Sequence, residues 1–377
     1  MAPSLPPEFK DNYPEFSAVT WKDQIIITSY TARAVIKVYC HKDGKWSLKK
    51  TCSDEPMFLT GSSVTVHDET MLLTGGVTFG MVTRNDIYAL DLHSWRWTKL
   101  GPKGNPPLGC HHLTTWMYGG KMYGFGGMAS VQYILISCSA TMLLTIAGSG
   151  PSQGVKFPVR GPPTLPSYAV IVFIIVGWEN GNAMNDLYTL NMVGMTWTQV
   201  HSSLIGTEGE SLPKGKAGHS MTLVSSKAAI LFGGGIEPYN PHGDIWLLNV
   251  GKILRGEFKS PSSLWEHCEH HEQSLSGRRA KRIFHSAVVE PISKRLWIMG
   301  GLQKDRATEL RYLYPKRTTE VLSLPFNSGA SLKFLAMESA LRHFSPGHPM
   351  LEETEIPRHL KIELENHFQH LSINEKQ

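Results

Sequence analysis

Three histidines in this sequence stand at a nearly constant distance before a glycine. His112, His219 and His285 precede a glycine by 14, 14 and 15 residues. Imidazole groups act as acid–base catalysts and as metal ligands, so recurrent histidines are the first candidates for chemistry. A constant offset instead indicates the same structural position in copies of a repeated unit, which hold equivalent side chains apart. We therefore predict a structural role for these histidines.

A second group of potential ligands is consecutive, His267-Cys268-Glu269-His270-His271. Such side chains bind zinc or copper. Adjacent residues rarely converge on one ion, and the sequence contains no second CxxC or HxxxH half to complete a site. No Ser-His-Asp spacing, P-loop or paired carboxylates stand out either. We predict no metal, no cofactor and no enzymatic activity.

A basic run, Arg278-Arg279-Ala280-Lys281-Arg282, has the composition of a nuclear-import or furin-type motif. The protease interpretation fails because no signal peptide is recognisable, and the alternative to nuclear import is a solvated loop beside a strand. The net charge is +5 and the basic residues are dispersed, so no nucleic-acid partner is predicted. Five cysteines without a CxxC pair favour a reducing compartment, cytoplasm or nucleus.

The elements that position these residues are revealed by a repeat. Apolar runs end in glycine pairs at Gly75-Gly76, Gly126-Gly127, Gly233-Gly234 and Gly300-Gly301, with a single glycine at Gly177. The period is about 50 residues, with insertions in the later copies. The motif D-[IL]-[YW]-x-L follows at Asp86, Asp186 and Asp244, and a tryptophan comes later at Trp97 and Trp197. One unit of four short strands is being reused.

These motifs resemble the kelch repeat over roughly residues 13–327, which implies an all-β fold, a six-bladed kelch β-propeller. The first blade has IIITSY in place of the glycine pair, and the middle blade, about residues 128–166, is irregular. That region is apolar, but its polar residues and short runs argue against membrane insertion. Some kelch propellers are copper oxidases, and the Tyr, His and cross-linked Cys-Tyr group that they need does not stand out here.

Residues 328–377 have a different, helical pattern. Leu332, Leu335, Ala336 and Ala340 share one helical stripe behind Ser331 as N-cap, and a second stripe includes Ile356, Pro357 and Leu360. The first pattern is similar to the elongin-binding BC box, with Ala336 where the box prefers Cys. The second is similar to the cullin-2 box. The alternative is that both helices only pack on the propeller.

A kelch propeller followed by these boxes resembles the substrate receptors of cullin-2 RING ubiquitin ligases, of the kelch domain-containing protein 1 and 2 type. The resemblance implies elongin B/C, cullin-2 and a protein client as partners. It places the client on the propeller face, near Trp178, Lys216, Tyr239, Arg282 and Phe284. Lys216 and Ala217 stand where this family has Arg and Ser, so recognition of a carboxyl-terminal degron is left open. The alternative function is an interaction scaffold of cytoskeletal or chromatin type.

Overall fold

The structure is a computed structural model. It describes residues 16–29, 35–40, 42, 44–54, 56, 59–78, 82–101, 109–128, 171–175, 178–179, 182–201, 212–225, 227–235, 240–257, 259–268, 281–290, 295–303, 316–317 and 321–325. The chain divides into two compact units, Met1–Pro325 and Phe326–Gln377, and every described residue lies in the first. The predicted C-terminal helices therefore lie outside the described residues, as does most of the irregular middle region.

The first three blades are antiparallel sheets. Blade 1 contains β1 (Phe16–Trp21), β2 (Gln24–Ser29), β3 (Val35–Cys40) and β4 (Lys45–Lys50), in that order. A short strand, β5 (Cys52–Ser53), pairs in parallel with the outer strand of the next blade. Blade 2 contains β6 (Ser63–His67), β7 (Thr70–Thr74), β8 (Ile87–Asp91) and β9 (Arg96–Leu100). The described part of blade 3 is the hairpin of β10 (His111–Tyr118) and β11 (Lys121–Met128).

The remaining blades repeat this order. Blade 4 contains β12 (Ile171–Ile175), β15 (Leu187–Asn191) and β16 (Thr196–His201), with a small hairpin of β13 (Trp178–Glu179) and β14 (Asn182–Ala183) between them. Blade 5 contains β17 (Ser220–Ser225), β18 (Ala228–Phe232), β19 (Ile245–Asn249) and β20 (Trp265–His267). Between the last two strands lie helix α1 (Val250–Arg255) and a 3-10 turn (Pro261–Leu264).

Blade 6 contains β22 (Ser286–Val289), β23 (Arg295–Met299) and β26 (Val321–Pro325). A small sheet beside it contains β21 (Arg282–Ile283), β24 (Leu302–Gln303) and β25 (Lys316–Arg317).

Each second strand is a continuous apolar run because both of its faces are covered by neighbouring blades. In blade 1, Ile26 packs with the core of blade 2, whereas Ile25 and Ile27 pack with Trp297 and Met299 of blade 6. Successive side chains of a strand point to opposite faces, so three consecutive isoleucines serve two seams. The apolar run thus forms a regular blade 1 without a glycine pair.

The blades close into a ring. The innermost strand β1 lies against β6 on one side and β22 on the other, and β6–β10 and β17–β22 are further neighbours. Apolar clusters form the two remaining seams. One contains Tyr123 of blade 3 and Trp197 of blade 4, and the other contains Leu187 of blade 4 and Trp246 of blade 5. The six-bladed propeller predicted from the sequence is confirmed. Within the part of the chain that the structure describes, no helix is long and apolar enough to cross a bilayer.

The glycine pairs lie where strands of two blades meet most closely. Gly233 and Gly234 have φ of 63° and 79°, in the left-handed region. A Cβ on Gly233 would lie 2.7 Å from the Arg282 carbonyl oxygen in blade 6, and one on Gly234 would lie 2.8 Å from the Ala217 carbonyl oxygen in its own blade. The pair is needed because one glycine accommodates the next blade and the other accommodates its own.

Candidate functional site

At one end of the ring the innermost strands begin and the second strands end in their glycine pairs. This end is here called the doublet end, after those pairs. Short ribbons extend it beyond the blades. Ala217 and Pro241 both bridge to Gly235 in blade 5, and Thr60 and Thr83 bridge to Val77 in blade 2. The sheet of β21, β24 and β25 extends blade 6 in the same manner. Most of the residues that the sequence predicted for a binding face belong to this end.

The doublet end contains a repeated left-handed position. Ser63, Thr114, Ser220 and Ser286 pair with the residue directly ahead of a glycine pair. Two positions before them stand the residues here called axial, which are Gly61, His112, Gly218 and Phe284, with φ of 67°, 58°, 62° and 57°. Neighbouring axial residues are also hydrogen bonded, since the His112 amide donates to the Gly61 carbonyl at 2.7 Å and the Phe284 amide to the Gly218 carbonyl at 2.9 Å. Two blades therefore use glycine at this position, and two use an aromatic ring.

His112 and Phe284 meet in the middle of the ring. They belong to blades 3 and 6, which are opposite each other, and their ring centroids are 4.6 Å apart with an interplanar angle of 31°. A Cβ on Gly61 would lie 3.0 Å from the His112 imidazole, and one on Gly218 would lie 2.9 Å from the Phe284 ring. Glycine at two axial positions thus leaves space for the rings at the other two. A left-handed residue other than glycine costs roughly 1–3 kcal/mol, a strain that is concentrated at functional sites.

The structure corrects the prediction that the three histidines are equivalent. Ser220 pairs with Phe232 and Ser286 pairs with Met299, the residues directly ahead of the glycine pairs. His219 and His285 therefore lie one residue before this pairing position. Thr114 pairs with Phe125, so His112 lies two residues before the same register. Leu113 occupies the position of the other two histidines. The distances from the three histidines to their glycines agree only because the hairpin of the first two strands is shorter in blade 3 than in blades 5 and 6.

All three imidazoles are surrounded by protein, although parts of His112 and His219 reach the surface. Burial and the neighbouring His111 lower the pKa of His112 to about 3. Burial and the positive charge of Lys216 lower the pKa of His219 to about 4. Burial and Arg282 hold the pKa of His285 well below its ordinary value. These histidines are neutral near pH 7 and act in packing and hydrogen bonding; His285 Nε2, for example, lies 2.8 Å from Ser220 Oγ.

Lys216 is buried in an ion pair, with only 1% of its surface exposed. Its Nζ donates to Asp244 Oδ2 at 2.5 Å, and Trp246 Nε1 donates to the same oxygen at 2.7 Å. Burial alone would raise the pKa of the Asp244 carboxyl, but Lys216 and Trp246 hold it below its ordinary value. Lys216 is predicted from the sequence as a cation for a client, and its partner Asp244 was not predicted.

Arg282 is also buried, at 0% exposure. It occupies in blade 6 the position of Lys216 in blade 5, two residues before the axial residue. Its amide donates to the His242 carbonyl at 3.0 Å, its carbonyl accepts from the Gly234 amide at 2.9 Å, and its Nη1 donates to the Gly300 carbonyl at 3.2 Å. The described contacts of both cations are therefore with the ring itself.

The other predicted face residues differ in what the structure describes. Phe284 is half-buried at the ring centre. Trp178 lies in β13, where the backbone alone is described, and Tyr239 lies outside the described residues. The predicted contacts of all five residues with a client stay predictions. The axial residue His112 was missed as a face residue, because its separation from a glycine matched a structural pattern.

No group of three or more His, Cys, Asp or Glu residues is arranged to hold a metal among the described residues. His267 and Cys268 are described, whereas Glu269, His270 and His271 are not. The predicted sequence landmarks of the repeat do take equivalent places. Strands β8, β15 and β19, which pair with the apolar strands of their blades, begin directly after Asp86, Asp186 and Asp244. Trp97 and Trp197 are buried in the neighbouring strands β9 and β16.

A closed ring of six such blades defines a kelch-repeat β-propeller, a protein-interaction domain. The family model described as the KLHDC2/KLHL20/DRC7 Kelch-repeats domain matches residues 17–234. The chain belongs to this family. A similar fold is found in a solved structure described as "Structure of YjhT", with a TM-score of 0.53, 15% identity, and coverage of 84% of this chain and 96% of that one.

The curated relatives are distant. Kelch domain-containing protein 2 of Bos taurus is 25% identical over 259 residues, which is 62% of this chain and 62% of that protein. Host cell factor 1 of Rattus norvegicus is 26% identical over 244 residues, which is 58% of this chain and 12% of that protein. The matched segments thus span less than two thirds of the relatives' own lengths.

Proposed function

We propose that this protein is the substrate-recognition subunit of an elongin BC–cullin-2 ubiquitin ligase, acting in the cytoplasm, the nucleus or both. One observation carries the proposal. The BC-box-like pattern from Ser331 to Ala340 and the cullin-2-box-like pattern from Ile356 to Leu360 follow in that order behind a propeller of this family. The protein itself would be non-enzymatic, because the ubiquitin-transfer chemistry would belong to its partners.

The adaptor contact would follow helix-in-groove recognition. Leu332, Leu335, Ala336 and Ala340 share one helical stripe, and such a stripe buries its side chains in an apolar groove of a partner. Ala336 is smaller than the Cys that the box prefers, so this contact would bury less apolar surface. Ile356, Pro357 and Leu360 would then contact cullin-2.

The client would bind at the doublet end. The floor of this binding face would include His112 and Phe284, which are half-buried and whose rings contact each other at the ring axis. Lys216 and Arg282 would support this floor from below, since both are buried. In this proposal His112 and Phe284 contact the client while Lys216 and Arg282 support them, which modifies the predicted set of five client contacts. Binding through a few central aromatic residues is common at protein interfaces.

Co-purification from cells tests the adaptor role. The tagged full-length chain is expected to recover elongin B, elongin C and cullin-2, and Leu332→Asp is expected to lose all three because a carboxylate enters the apolar stripe. Phe334→Asp is the matched control, since it introduces the same side chain two positions away and, at about 100° per residue, on the opposite side of the helix. Leu360→Asp is expected to lose cullin-2 and retain elongin.

Equal recovery of elongin by the wild-type chain and by Leu332→Asp would contradict the proposal. The same holds if no elongin is recovered by any variant. The protein would then be better described as a kelch interaction scaffold, of cytoskeletal or chromatin type, whose C-terminal helices only pack on the propeller.

A further inference from the structure

The basic run that ends at Arg282 is not a free linear motif. Its last residue is completely buried and is held by the backbone of blade 5 on both sides, through His242 and Gly234. A protein that reads a basic run as an extended segment needs all of its side chains to be accessible, and Arg282 is not. Lys281 is exposed. The ring therefore fixes the run at Arg282 and presents Lys281 at the seam between blades 5 and 6.

A further lysine and an imidazole lie at this seam in blade 5. Lys214 is exposed and lies ahead of the innermost strand of that blade, and His242 is half-buried in the loop that leads to Asp244. Burial lowers the pKa of His242, and the positive charges of Lys216, Lys214 and Lys281 lower it further. Lys281 directly precedes Arg282, whose amide donates to the His242 carbonyl at 3.0 Å, so the lysines of both blades lie near one imidazole.

The carboxylate that acts on His242 does not balance these charges. Asp244 is engaged by Lys216 and Trp246 at hydrogen-bonding distance. Lys216 and Asp244 cancel as a pair, whereas Lys214 and Lys281 are exposed positive groups near His242. Arg278 and Arg279, which precede Lys281 in the sequence, add further positive charge to the same run.

We propose that the surface formed by Lys214, His242 and Lys281, here called the basic seam, docks an acidic segment of the client protein through its Asp and Glu side chains. The inference rests on the proposed function and specifies the class of client. Exposed ammonium–carboxylate pairs are individually weak, so a stable contact needs several of them. The two lysines come from different blades, and an extended chain with spaced carboxylates can reach both.

Complementary charge of this kind contributes specificity and a faster association rate more than raw affinity. The basic seam adjoins the axial residues, because Lys281 is three residues from Phe284 and Lys214 is four residues from Gly218. An acidic segment on the seam would therefore guide a neighbouring apolar residue of the same client to the ring axis.

Fluorescence anisotropy with the purified full-length chain tests the proposal. The probe is a labelled 12-residue Glu/Ser peptide whose C-terminus is amidated, so that binding reports side-chain carboxylates. The comparison probes are the same peptide with Gln in place of Glu, a Gln/Ser peptide with a free carboxyl terminus, and a 12-nucleotide oligothymidylate. The variant is Lys214→Glu/Lys281→Glu. The control is Lys227→Glu, an exposed lysine in the turn between β17 and β18 of blade 5.

The Glu/Ser peptide is expected to bind, to weaken about tenfold or more in the double variant, and to be unaffected by Lys227→Glu. Its affinity is also expected to fall as salt is raised through 0.15 M. Absence of binding, or equal binding by all variants, would overturn the proposal. Equally tight binding of the free-carboxyl Gln/Ser peptide or of the oligothymidylate would also overturn it, since the site would then recognise a chain terminus or any polyanion. None of these outcomes depends on elongin binding, which is measured separately.

Discussion

The imidazole of His112 and the phenyl ring of Phe284 close the propeller axis from opposite blades, with their centroids 4.6 Å apart. Both residues hold a backbone conformation that glycine holds in the two blades preceding them, with φ of 58° and 57°. The contact therefore has a conformational cost, and a substitution can separate that cost from the gain of the ring contact.

Glycine at position 112 is expected to be more stable than alanine at the same position, by about 1 kcal/mol, because only alanine carries a Cβ in the left-handed conformation. Both variants lose the imidazole, so the difference between them isolates the backbone term. The free energy of unfolding in urea measures it. Thr114 lies two residues further on in β10 and is exposed. There the order is expected to be reversed, with glycine less stable than alanine. If glycine and alanine had the same order of stability at both positions, the backbone strain at His112 would be contradicted.

The buried pair of Lys216 and Asp244 is expected to be strongly coupled. Lys216→Met leaves the Asp244 carboxylate without its main partner and is expected to cost roughly 3–5 kcal/mol of unfolding free energy. Lys216→Met/Asp244→Leu is expected to recover part of that loss, since it removes both charges. Denaturant unfolding of the two single variants and the double variant gives the coupling energy.

Blade 2 offers an exposed counterpart to this pair. Lys99 Nζ and Asp86 Oδ1 are 2.8 Å apart, and 49% of the Lys99 side chain is accessible. The coupling energy there is expected to be below about 1 kcal/mol. Equal coupling energies for the two pairs would show that burial does not strengthen the blade 5 interaction.

Stability is expected to fall with acidification between pH 6.5 and about 4. The folded protein keeps His112 and His219 neutral, with pKa values of about 3 and about 4. The unfolded chain takes up protons at an ordinary pKa near 6.5, so below that pH it binds more protons than the folded state. The stability contribution is complete above pH 6.5 and is lost as the pH falls toward the folded pKa values.

Each such histidine contributes a slope of about 1.4 kcal/mol per pH unit in this window. His219→Gln is expected to reduce the slope by about that amount, measured by urea unfolding at several pH values. Leu223→Gln is the control, because Leu223 is 55% exposed and carries no titrating group, and it is expected to leave the slope unchanged. An unaltered slope in His219→Gln would contradict the buried neutral state.

The sequence was sufficient to predict the ring because its strongest constraints are local. The glycine pairs, the aspartates ahead of the third strands and Trp97 and Trp197 recur at offsets that the hairpins preserve. The equivalence of His112 with His219 was wrong, because counting residues ignores the different lengths of the inner hairpins. The correct equivalence follows from strand pairing, which the sequence does not contain directly.

The chemical environment of Lys216 was not predictable in the same way. Its partner Asp244 is 28 residues away in the sequence and comes from the loop after the second strand of its blade. A basic residue in a glycine-rich stretch is expected from the sequence to be exposed. The burial of Lys216 depends on a carboxylate that the fold places next to it. The predicted BC-box-like and cullin-2-box-like residues lie outside the described part of the chain and stay predictions.

The second glycine of a pair ties one blade to the next. Gly76 of blade 2 donates its amide to the Cys110 carbonyl of blade 3 at 2.7 Å, and Gly234 of blade 5 donates to the Arg282 carbonyl of blade 6 at 2.9 Å. Protection of a glycine amide from solvent exchange therefore depends on a blade other than its own. Local opening of one blade would expose an amide of the blade before it, so that fluctuations around this ring are shared by adjacent blades.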